Sequence, residues 1–421
     1  MNILVLNCGS SSLKLQIITT DNQAIDSNTG ICRFKGHVET VKTGRTGELQ
    51  NQFKYDVPGQ PTVKTTAAIE DLEHSIETVL EWIFSEKSNI EELNDYSDIH
   101  AVGHRVVHGG EHFKQSTLIN QTVLETIEEC VDLAPLHNLA NLQGIKHMLA
   151  LLGPDIPQVA VFDTAFHAQM PQHAFLYGLP YDYYQRYKIR RYGFHGTSHR
   201  YVSRQYRALT GFSKKRTHII SLHLGNGCSA CAIQAGVSID TSMGFTPLEG
   251  LLMGTRSGDL DPSILAFLHD REAMSFDQLE VMLNKKSGLL GISGLTSDMR
   301  TLLETEAEDP DTRAGLAIDM FCRRVCKYVA SYYVAMQGKV AALVFTAGIG
   351  ENSAQIRQRI CTSLECLGVL IDTKLNTAAN NPMGDKISSK DSRLEVYVIP
   401  TNEESMIARD TAQYLNLTAP E

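Results

Sequence analysis

The sequence has neither a long apolar run nor a basic leader. No stretch of about 18 uninterrupted apolar residues occurs in the 421-residue chain, which argues against a membrane span. The first residues, MNILVLNCGSSSLKLQII, lack the positively charged start of a secretory signal, and their apolar run is too short for one. We therefore expect a cytoplasmic protein with no membrane partner.

The chain also lacks an excess of positive charge. Lys and Arg total 38 against 48 Asp and Glu, so the formal net charge is −10. This balance argues against a nucleic-acid partner, although a local basic pocket for a small anion remains compatible with it. Hydrophobic residues make up 43% and charged residues 20%, which excludes global disorder and a fibrous repeat.

The nine cysteines are odd in number and come without a secretory signal, so we expect reduced and mostly buried thiols. Cys228 and Cys231 form a C-x-x-C pattern on a predicted strand, where their side chains would face opposite sides. Cys322 and Cys326 share a helix face that suits a core. Neither pair favours zinc or redox chemistry.

Apolar strand-like runs alternate with helical patterns, which indicates an α/β architecture. The predicted strands are 2–7, 13–18, 99–103, 157–162, 217–224, 229–234, 340–346 and 395–399. The predicted helices are 78–85, 122–130, 314–337, 353–367 and 403–415. The polar stretch 36–66 is expected to be a surface excursion with some strand character.

A weak internal repeat links ILVLNCGSSSLKLQI to IISLHLGNGCSACAI, about half the chain later. Each copy reads as a strand, a turn of glycine and small polar residues, and a second strand. One interpretation is a pair of similar α/β domains. The alternative is that any two hairpins with glycine turns look alike.

Three glycine-containing turns could hold phosphate oxygens through exposed backbone N–H groups. The first two, 7–12 and 225–227, follow strands, and a plain hairpin is the alternative for each. The first lacks the G-K-[ST] ending and following helix of a P-loop. The third, 348–353, resembles a dinucleotide fingerprint with Asp372 further on, but Ser353 replaces its third glycine. We interpret this turn as a nucleotide contact at a helix N-terminus.

Histidines recur four residues apart in the segments 103–112 and 192–199. On a helix such pairs can share a metal ion, which leaves a metal-dependent hydrolase as an alternative. Glycines surround both segments, however, and loops that present His and Arg to an anion fit better. Arg256, between Gly254 and Gly258, is a similar donor, with a surface salt bridge as the alternative.

Acidic residues follow predicted strands where ligands of α/β sheets bind. Asp163 directly follows PQVAVF, and Glu403 comes soon after EVYVI. Each could instead be a helix cap. Together with Asp240, Asp298 and the phosphate-like turns, they suggest Mg²⁺ and phosphoryl transfer.

These motifs, in this order, resemble the acetate kinase family, within the superfamily of sugar kinases, chaperones and actin. The carriers of the resemblance are LNCGSSSLK (6–14), GHRVVHGG (103–110), LAPLHN (133–138), AVFDTAFH (160–167), RRYGFHGTSHRYV (190–202), HLGNGCS (223–229), DTSMGFTPLEGLLMGTRSGDLDP (240–262), TAGIGENS (346–353) and TNEE (401–404).

The resemblance implies two duplicated ribonuclease-H-like domains of the actin and sugar-kinase type, with an active-site cleft between them. The first would comprise 1–164 plus 404–421, and the second 165–403, with most nucleotide contacts. The implied reaction is reversible, direct in-line transfer of the ATP γ-phosphoryl group to acetate, giving acetyl phosphate and ADP. It would need Mg²⁺, for which Mn²⁺ could substitute, and the enzyme would be a homodimer.

The family's residue roles carry over by position. Asp163, His195 and Arg256 would be catalytic, and Asn7 and Glu403 would bind the metal. The residues implied to bind acetate are Arg105, Val107, Leu136, Phe194 and Pro247. The residues implied to bind the nucleotide are Lys14, His223, Leu224, Gly225, Asn226, Gly227, Asp298, Met299, Arg300, Gly348, Ile349, Gly350, Glu351 and Asn352.

Physical chemistry agrees with these roles. A carboxylate substrate is ionised at neutral pH, so no strong general base is needed, and the work is positioning two anions and neutralising charge. A small pocket closed by Val107 suits acetate, with propionate as the alternative substrate. A nucleotide-driven regulator or chaperone on the same fold is a further alternative. Leu139 and Ala347 depart from the family's usual Pro and Gly.

Overall fold

The computed structural model describes residues 1–9, 12–21, 30–43, 48–67, 71–310 and 312–418, apart from some side chains. The chain divides into two compact units, which are described separately. Unit 1 comprises Met1–Ala165 with Asn402–Glu421, and unit 2 comprises Phe166–Thr401. No helix in the described ranges is both long and apolar enough to cross a membrane. None of the nine cysteines forms a disulfide.

Among the described residues, each unit contains one sheet. The strands of unit 1 are β1 (Asn2–Cys8), β2 (Ser12–Thr19), β3 (Ile31–Thr43), β4 (Glu48–Asp56), β5 (Val63–Ala67), β6 (Ala101–Val106), β7 (Thr117–Leu118) and β8 (Gln158–Phe162). The strands of unit 2 are β9 (Ile219–Leu224), β10 (Cys228–Gln234), β11 (Val237–Thr241), β12 (Ala342–Thr346), β13 (Asp385–Lys386) and β14 (Glu395–Val398).

The two sheets share one topology. Strand order is β5-β4-β3-β2-β1-β6-β8-β7 in unit 1 and β11-β10-β9-β12-β14-β13 in unit 2. In each, an antiparallel hairpin (β1/β2 or β9/β10) leads to three parallel strands (β1, β6, β8 or β9, β12, β14). A short antiparallel strand, β7 or β13, pairs with the last of them. The predicted duplication of an α/β fold is confirmed.

Helices complete both units. The helices in the first segment of unit 1, Met1–Ala165, are α1 (Leu72–Ile83), α2 (Gln121–Glu129) and α3 (Pro135–Leu152). Those of unit 2 are α4 (Gln172–Phe175), α5 (Tyr181–Tyr187), α6 (Gly196–Thr210), α7 (Ser263–Glu272), α8 (Phe276–Lys285), α9 (Gly288–Ser293), α10 (Met299–Glu308), α11 (Arg313–Ala335), α12 (Ala347–Asn352), α13 (Ala354–Ser363) and α14 (Thr373–Ala378). The last helix, α15 (Glu403–Thr418), returns to unit 1.

The apolar patterns explain the elements that were predicted correctly. Every residue of β8, β9 and β12 is buried, as expected for central parallel strands covered on both faces. In α11, residues spaced three or four apart form the buried stripe Ala314, Ala317, Ile318, Phe321, Cys322, Val325, Val329 and Tyr332. The pattern predicts a helix over 314–337, and the structure has it over Arg313–Ala335.

Among the regions that differ from prediction, two lie in unit 1. The expected surface excursion 36–66 is largely β3, β4 and β5, which extend the sheet of unit 1 beyond its hairpin. Their polar composition reflects a sheet face left open to solvent. Helix α3 was not predicted, because its apolar residues are distributed around the helix and give no one-sided pattern.

Gly103 on β6 sets the approach of α15 to the sheet. A β-carbon at this position would lie 2.5 Å from Thr411 Oγ1 and 2.6 Å from the Ile407 side chain. The helix therefore rests directly on the backbone of β6. Because α15 begins at Glu403, this close approach also sets the position of a predicted metal ligand.

We predict that Gly103→Ala destabilises the protein by about 1–3 kcal/mol, since the added methyl group must displace α15. Chemical denaturation measures the loss, with Gly178→Ala as control because a β-carbon at Gly178 meets no atom within 4 Å. Equal stability of the two variants would contradict this packing argument.

Candidate functional site

Three side chains of unit 1 meet where neighbouring parallel strands end. Asn7 lies on β1 and Arg105 on β6, and Asp163 directly follows β8. Arg105 Nε and Nη2 donate to Asp163 Oδ2 at 3.1 and 2.6 Å, and Nη1 donates to Asn7 Oδ1 at 3.0 Å. All three guanidinium nitrogens are engaged, so the plane of Arg105 is fixed.

Glu403 adds a second carboxylate to this cluster. Its Oε2 lies 3.9 Å from Arg105 Nε, and only 17% of its side chain is exposed. Burial raises the pKa of Glu403 to about 7; Asp163 and Glu404 add to the rise, while Arg105 and Lys14 oppose it. Burial works against the charge of Arg105, but Asp163 and Glu403 still raise its pKa. The cluster therefore carries one cation against two carboxylates.

This donor set is suited to Mg²⁺ delivered with a nucleotide. Asn7, Asp163 and Glu403 offer oxygen atoms, and Mg²⁺ takes one or two carboxylates while water and phosphate oxygens fill its other positions. Across the described ranges, no group of three or more His, Cys, Asp or Glu residues could hold a metal ion. Burial raises the pKa of Glu403 and so opposes its negative charge. A bound cation would favour the charged form of this carboxylate.

The histidines of segment 103–112 have separate partners. His104 Nε2 lies 2.7 Å from Gln158 Oε1, and burial lowers the pKa of His104 to about 4. His108 Nδ1 accepts from the Gly110 N–H at 3.0 Å. The rings of His104 and His108 thus each have their own protein partner, which argues against the metal-hydrolase alternative.

The residues predicted for the acetate pocket divide between the units. Val107 in unit 1 is buried, and its N–H donates to Asn141 Oδ1 at 3.0 Å, while Asn141 Nδ2 donates to the Cys8 carbonyl at 2.7 Å. Phe194 and Pro247 belong to unit 2, and the Leu136 side chain lies outside the described residues. Leu139, the departure noted in the sequence, is 51% exposed on α3. Sequence reasoning missed Asn141, which follows the PLHN motif on the same helix.

In unit 2, His195 and Arg256 border one small space. A β-carbon on Gly227 would lie 3.5 Å from Arg256 Nη1 and 3.6 Å from His195 Nε2. The guanidinium of Arg256 donates to the Pro247 carbonyl at 3.1 Å, and no carboxylate of the described chain pairs with it. Burial lowers the pKa of Arg256. A partly buried cation without a carboxylate partner is a ready site for a bound anion.

The loop that carries Arg256 is clamped on both sides. Glu249 accepts from Arg191 Nη2 at 2.5 Å and from the Tyr177 hydroxyl. Asp259 accepts from the Gly250 N–H at 2.8 Å, and further bonds from α11 reach it. Glu249 and Asp259 therefore hold the loop in place, and neither pairs with Arg256, for which the described residues provide no carboxylate partner.

His195 precedes helix α6 in a left-handed conformation, with φ of 55°. The prediction that segment 192–199 is a loop is wrong for His199, which lies inside α6 and is buried. The two imidazoles, four residues apart, both contact Ser229: His195 Nδ1 at 2.9 Å and His199 Nε2 at 2.8 Å. Sequence reasoning missed Ser229, although it ends the HLGNGCS motif.

A cavity of about 690 Å³ in unit 2 collects most of the predicted nucleotide residues. Those that line it are Gly225, Asn226, Asp298, Met299, Arg300, Gly348, Ile349 and Asn352. Asp298 caps α10 by accepting from the N–H groups of Arg300 and Thr301, and Arg300 is exposed. The cavity combines backbone of two glycine turns with an N-terminal helix turn, a suitable setting for an anionic ligand.

Six predicted nucleotide residues do not line this cavity. Lys14, in unit 1, pairs with Asn7 across β1 and β2 and is exposed. Glu351 Oε1 accepts from the N–H groups of Ala347 and Thr401 at 2.6 and 3.0 Å, so it serves as a structural acceptor. The others are His223, Leu224, Gly227 and Gly350.

Ala347 occupies a backbone conformation that favours glycine. Its φ of 63° falls in the left-handed region, which costs a residue with a β-carbon about 1–2 kcal/mol. The family's usual glycine at this position thus has a physical reason.

We predict that Ala347→Gly raises the stability of the protein by about 1 kcal/mol, measured by thermal or chemical unfolding. Ala330→Gly, at an exposed helical position of α11, is the matched control and should lower stability by about 1 kcal/mol. A loss of stability in both variants would show that the φ of Ala347 is not strained.

Glu403 should also make stability depend on pH. Its ordinary pKa is 4.5 and its folded pKa about 7, so between these values only the folded protein carries the proton. Stability therefore falls as pH rises from about 4.5 to 7. We predict that, at pH 8 without metal, Glu403→Gln is more stable than wild type by about 3 kcal/mol. Glu365→Gln, at an exposed position, should change nothing, and a destabilised Glu403→Gln would contradict the account.

Comparison with known proteins gives consistent relatives. The acetokinase family matches residues 2–409. Acetate kinases of Chloroherpeton thalassium and Solibacter usitatus are 52% and 51% identical over 413 and 415 residues, covering 98% of this chain and of each relative.

Solved structures agree. The crystal structure of Porphyromonas gingivalis acetate kinase matches with a TM-score of 0.88 at 42% identity, covering 98% of this chain and 99% of that one. A propionate kinase from Francisella tularensis matches with a TM-score of 0.87, at the same identity and coverage. Because the family match and these relatives span nearly the whole chain, the protein belongs to the acetokinase family.

Proposed function

We propose that this protein transfers the γ-phosphoryl group of ATP to acetate, reversibly and with Mg²⁺, producing acetyl phosphate and ADP. Its family membership and full-length acetate kinase relatives support the reaction. The observation that carries the assignment of residues is Arg256, a partly buried cation with no carboxylate partner in the described chain, beside His195 at Gly227.

Arg256 and His195 would stabilise the phosphoryl group during transfer. A transferring phosphoryl group spreads negative charge over its equatorial oxygens, and fixed donors that need no reorganisation lower its energy most. Arg256 would supply charge-assisted hydrogen bonds and His195 Nε2 a second donor. The clamped loop would keep the guanidinium in place before the substrate arrives.

In unit 1, Arg105 would orient acetate. Asp163 and Asn7 engage three of the five guanidinium N–H bonds, and the other two would be available to a carboxylate. Asp163 would act by holding Arg105 and by contributing oxygen near the metal. Since acetate is already ionised at neutral pH, no proton acceptor is required.

Asn7 and Glu403 would hold Mg²⁺, and Mg²⁺ would supply charge neutralisation to the phosphate oxygens. The cavity of unit 2 would bind the adenosine part of ATP or ADP through Asp298, Gly348 and their neighbours. The predicted domains, 1–164 plus 404–421 and 165–403, would thus divide the binding of the metal and of the nucleotide.

Acetate is favoured over propionate because Val107 is buried and rigidly held by Asn141. One extra methylene changes discrimination by only about 1–3 kcal/mol, so propionate should be a slower substrate. The similarity to a solved propionate kinase makes propionate kinase the alternative function. Comparing kcat/KM for acetate, propionate and butyrate would decide between them.

We further propose a homodimer in the cytoplasm, on the family resemblance. Helix α7 supports the dimer, since none of its residues is buried and Ile264 and Phe267 are 44% and 59% exposed. An exposed apolar helix of this kind is typical of a subunit interface.

The proposed reaction is tested by trapping acetyl phosphate with hydroxylamine in a mixture of ATP, Mg²⁺ and acetate. We expect trapped product that depends on all three components and matches the ADP released. ADP release without trapped product, at the same rate with and without acetate, would instead indicate an ATP-hydrolysing regulator or chaperone.

We predict that Arg256→Ala lowers kcat by about 10²–10³-fold while the affinity for ATP changes little, because Arg256 acts mainly in the transition state. Arg323→Ala, which removes an exposed arginine of α11, is the matched control and should retain wild-type turnover. If Arg256→Ala raised the KM for ATP with kcat unchanged, Arg256 would be a ground-state binding residue instead.

A further inference from the structure

A continuous chain of hydrogen bonds runs behind His195 into the core of unit 2. His195 Nδ1 lies 2.9 Å from Ser229 Oγ, and the same oxygen lies 2.8 Å from His199 Nε2. On its far side, His199 Nδ1 lies 3.0 Å from Ser221 Oγ. Ser221, Ser229 and His199 are fully buried, so water does not compete for these bonds.

His199 is a neutral link in this chain. Burial lowers its pKa well below the ordinary value, and the nearby His167 and His223 lower it further. A neutral imidazole carries one N–H, so it donates at one nitrogen and accepts at the other. His199 therefore supplies no charge, but it makes the bonds on its two sides run in the same direction.

When His195 is neutral and Ser229 donates within the chain, two arrangements of protons satisfy it. In the first, Ser221 donates to His199, His199 donates to Ser229, and Ser229 donates to His195 Nδ1, which leaves the His195 proton on Nε2. In the second, every donor is reversed and Nε2 presents a lone pair. If Ser229 accepted from both rings instead, its own buried hydroxyl proton would have no partner in the chain, which is unfavourable. The Ser229 hydroxyl contacts both rings, so the direction of its hydrogen bond with His199 determines which nitrogen of His195 carries the proton.

The surroundings of Nε2 favour the first arrangement. Nε2 and Arg256 Nη1 border the same space beside Gly227, and Arg256 can only donate hydrogen bonds there. A ligand acceptable to Arg256 is therefore an acceptor, and an Nε2 lone pair would oppose it. The ring of His195 stacks on that of His223, with centroids 4.1 Å apart, and this close contact between two imidazoles favours a neutral His195.

We propose that Ser229 and His199 are positioning residues that hold His195 as the tautomer protonated on Nε2, ready to donate to the phosphoryl group. The inference rests on the proposed phosphoryl transfer for its kinetic consequence. The tautomer itself is a property of the folded protein and can be measured without turnover.

The test combines nuclear magnetic resonance with kinetics. Long-range ¹H–¹⁵N spectra of histidine-labelled protein distinguish the two tautomers, and loss of signals in His195→Gln identifies the ring. Spectra are recorded with Mg²⁺ and the ATP analogue adenylyl imidodiphosphate. We expect the Nε2–H tautomer of His195 in wild type and a mixture of tautomers in Ser229→Ala.

In the kinetic arm, Ser229→Ala should lower kcat about tenfold while the KM values for ATP and acetate change less than twofold. Ser229→Thr, which keeps a hydroxyl, should restore most of the activity and the Nε2–H tautomer. Ser203→Ala, which removes a buried serine hydroxyl from α6, is the control for a general packing effect and should leave the tautomer unchanged.

An Nδ1–H tautomer in wild type, or the same single tautomer in wild type and Ser229→Ala, would overturn the proposal. Failure of the proposed function gives a different result, because the hydroxylamine trap would then stay empty while the tautomer still responded to Ser229. If Ser229→Thr does not fold, the spectra of wild type and Ser229→Ala still decide.

Discussion

A partly buried positive charge without a carboxylate partner in the described chain is the constraint around which unit 2 is organised. Desolvating a cation is costly, and most buried arginines are offset by an acid. Arg256 instead donates to the Pro247 carbonyl, while the nearby acids Glu249 and Asp259 hold its loop in place. An anionic ligand would supply the favourable charge interaction that Arg256 does not receive from an acid. Phosphoryl transfer is the chemistry that uses such a site.

Unit 1 has the opposite imbalance. Arg105 is paired with Asp163 and bonded to Asn7, and Glu403 adds a carboxylate whose ionisation burial opposes. This cluster gains from a cation, whereas the Arg256 site gains from an anion. In the proposed reaction, Mg²⁺ would meet the first need and the phosphoryl group the second. The net charge of −10 therefore says little about the ligand, because a few local charges determine the chemistry.

Much of the fold and part of the candidate site could be predicted from the sequence. The duplicated hairpins follow from apolar runs around glycine turns, and Asp163 follows from the rule that ligands bind where parallel strands end. Helix α6 was missed because it begins at Gly196 and most of its buried side chains are polar, so no clear apolar stripe marks it. The hydrogen bonds from Ser229 on β10 to His195 and His199 join residues 34 and 30 positions apart, and spacing along the chain does not encode such long-range contacts. The sequence shows that Leu139 and Ala347 depart from the family's usual residues. The reason for the usual glycine at position 347 appears only in the structure, where Ala347 has a positive φ.

The central claim is that one phosphoryl group passes directly between two positioned anions, with no phosphorylated enzyme. The most direct measurement is the stereochemical course at phosphorus, using ATP with a γ-phosphoryl group made chiral by oxygen isotopes. A single in-line displacement inverts the configuration, and the account predicts inversion in acetyl phosphate. Retention would require two displacements through a covalent enzyme intermediate and would contradict the account.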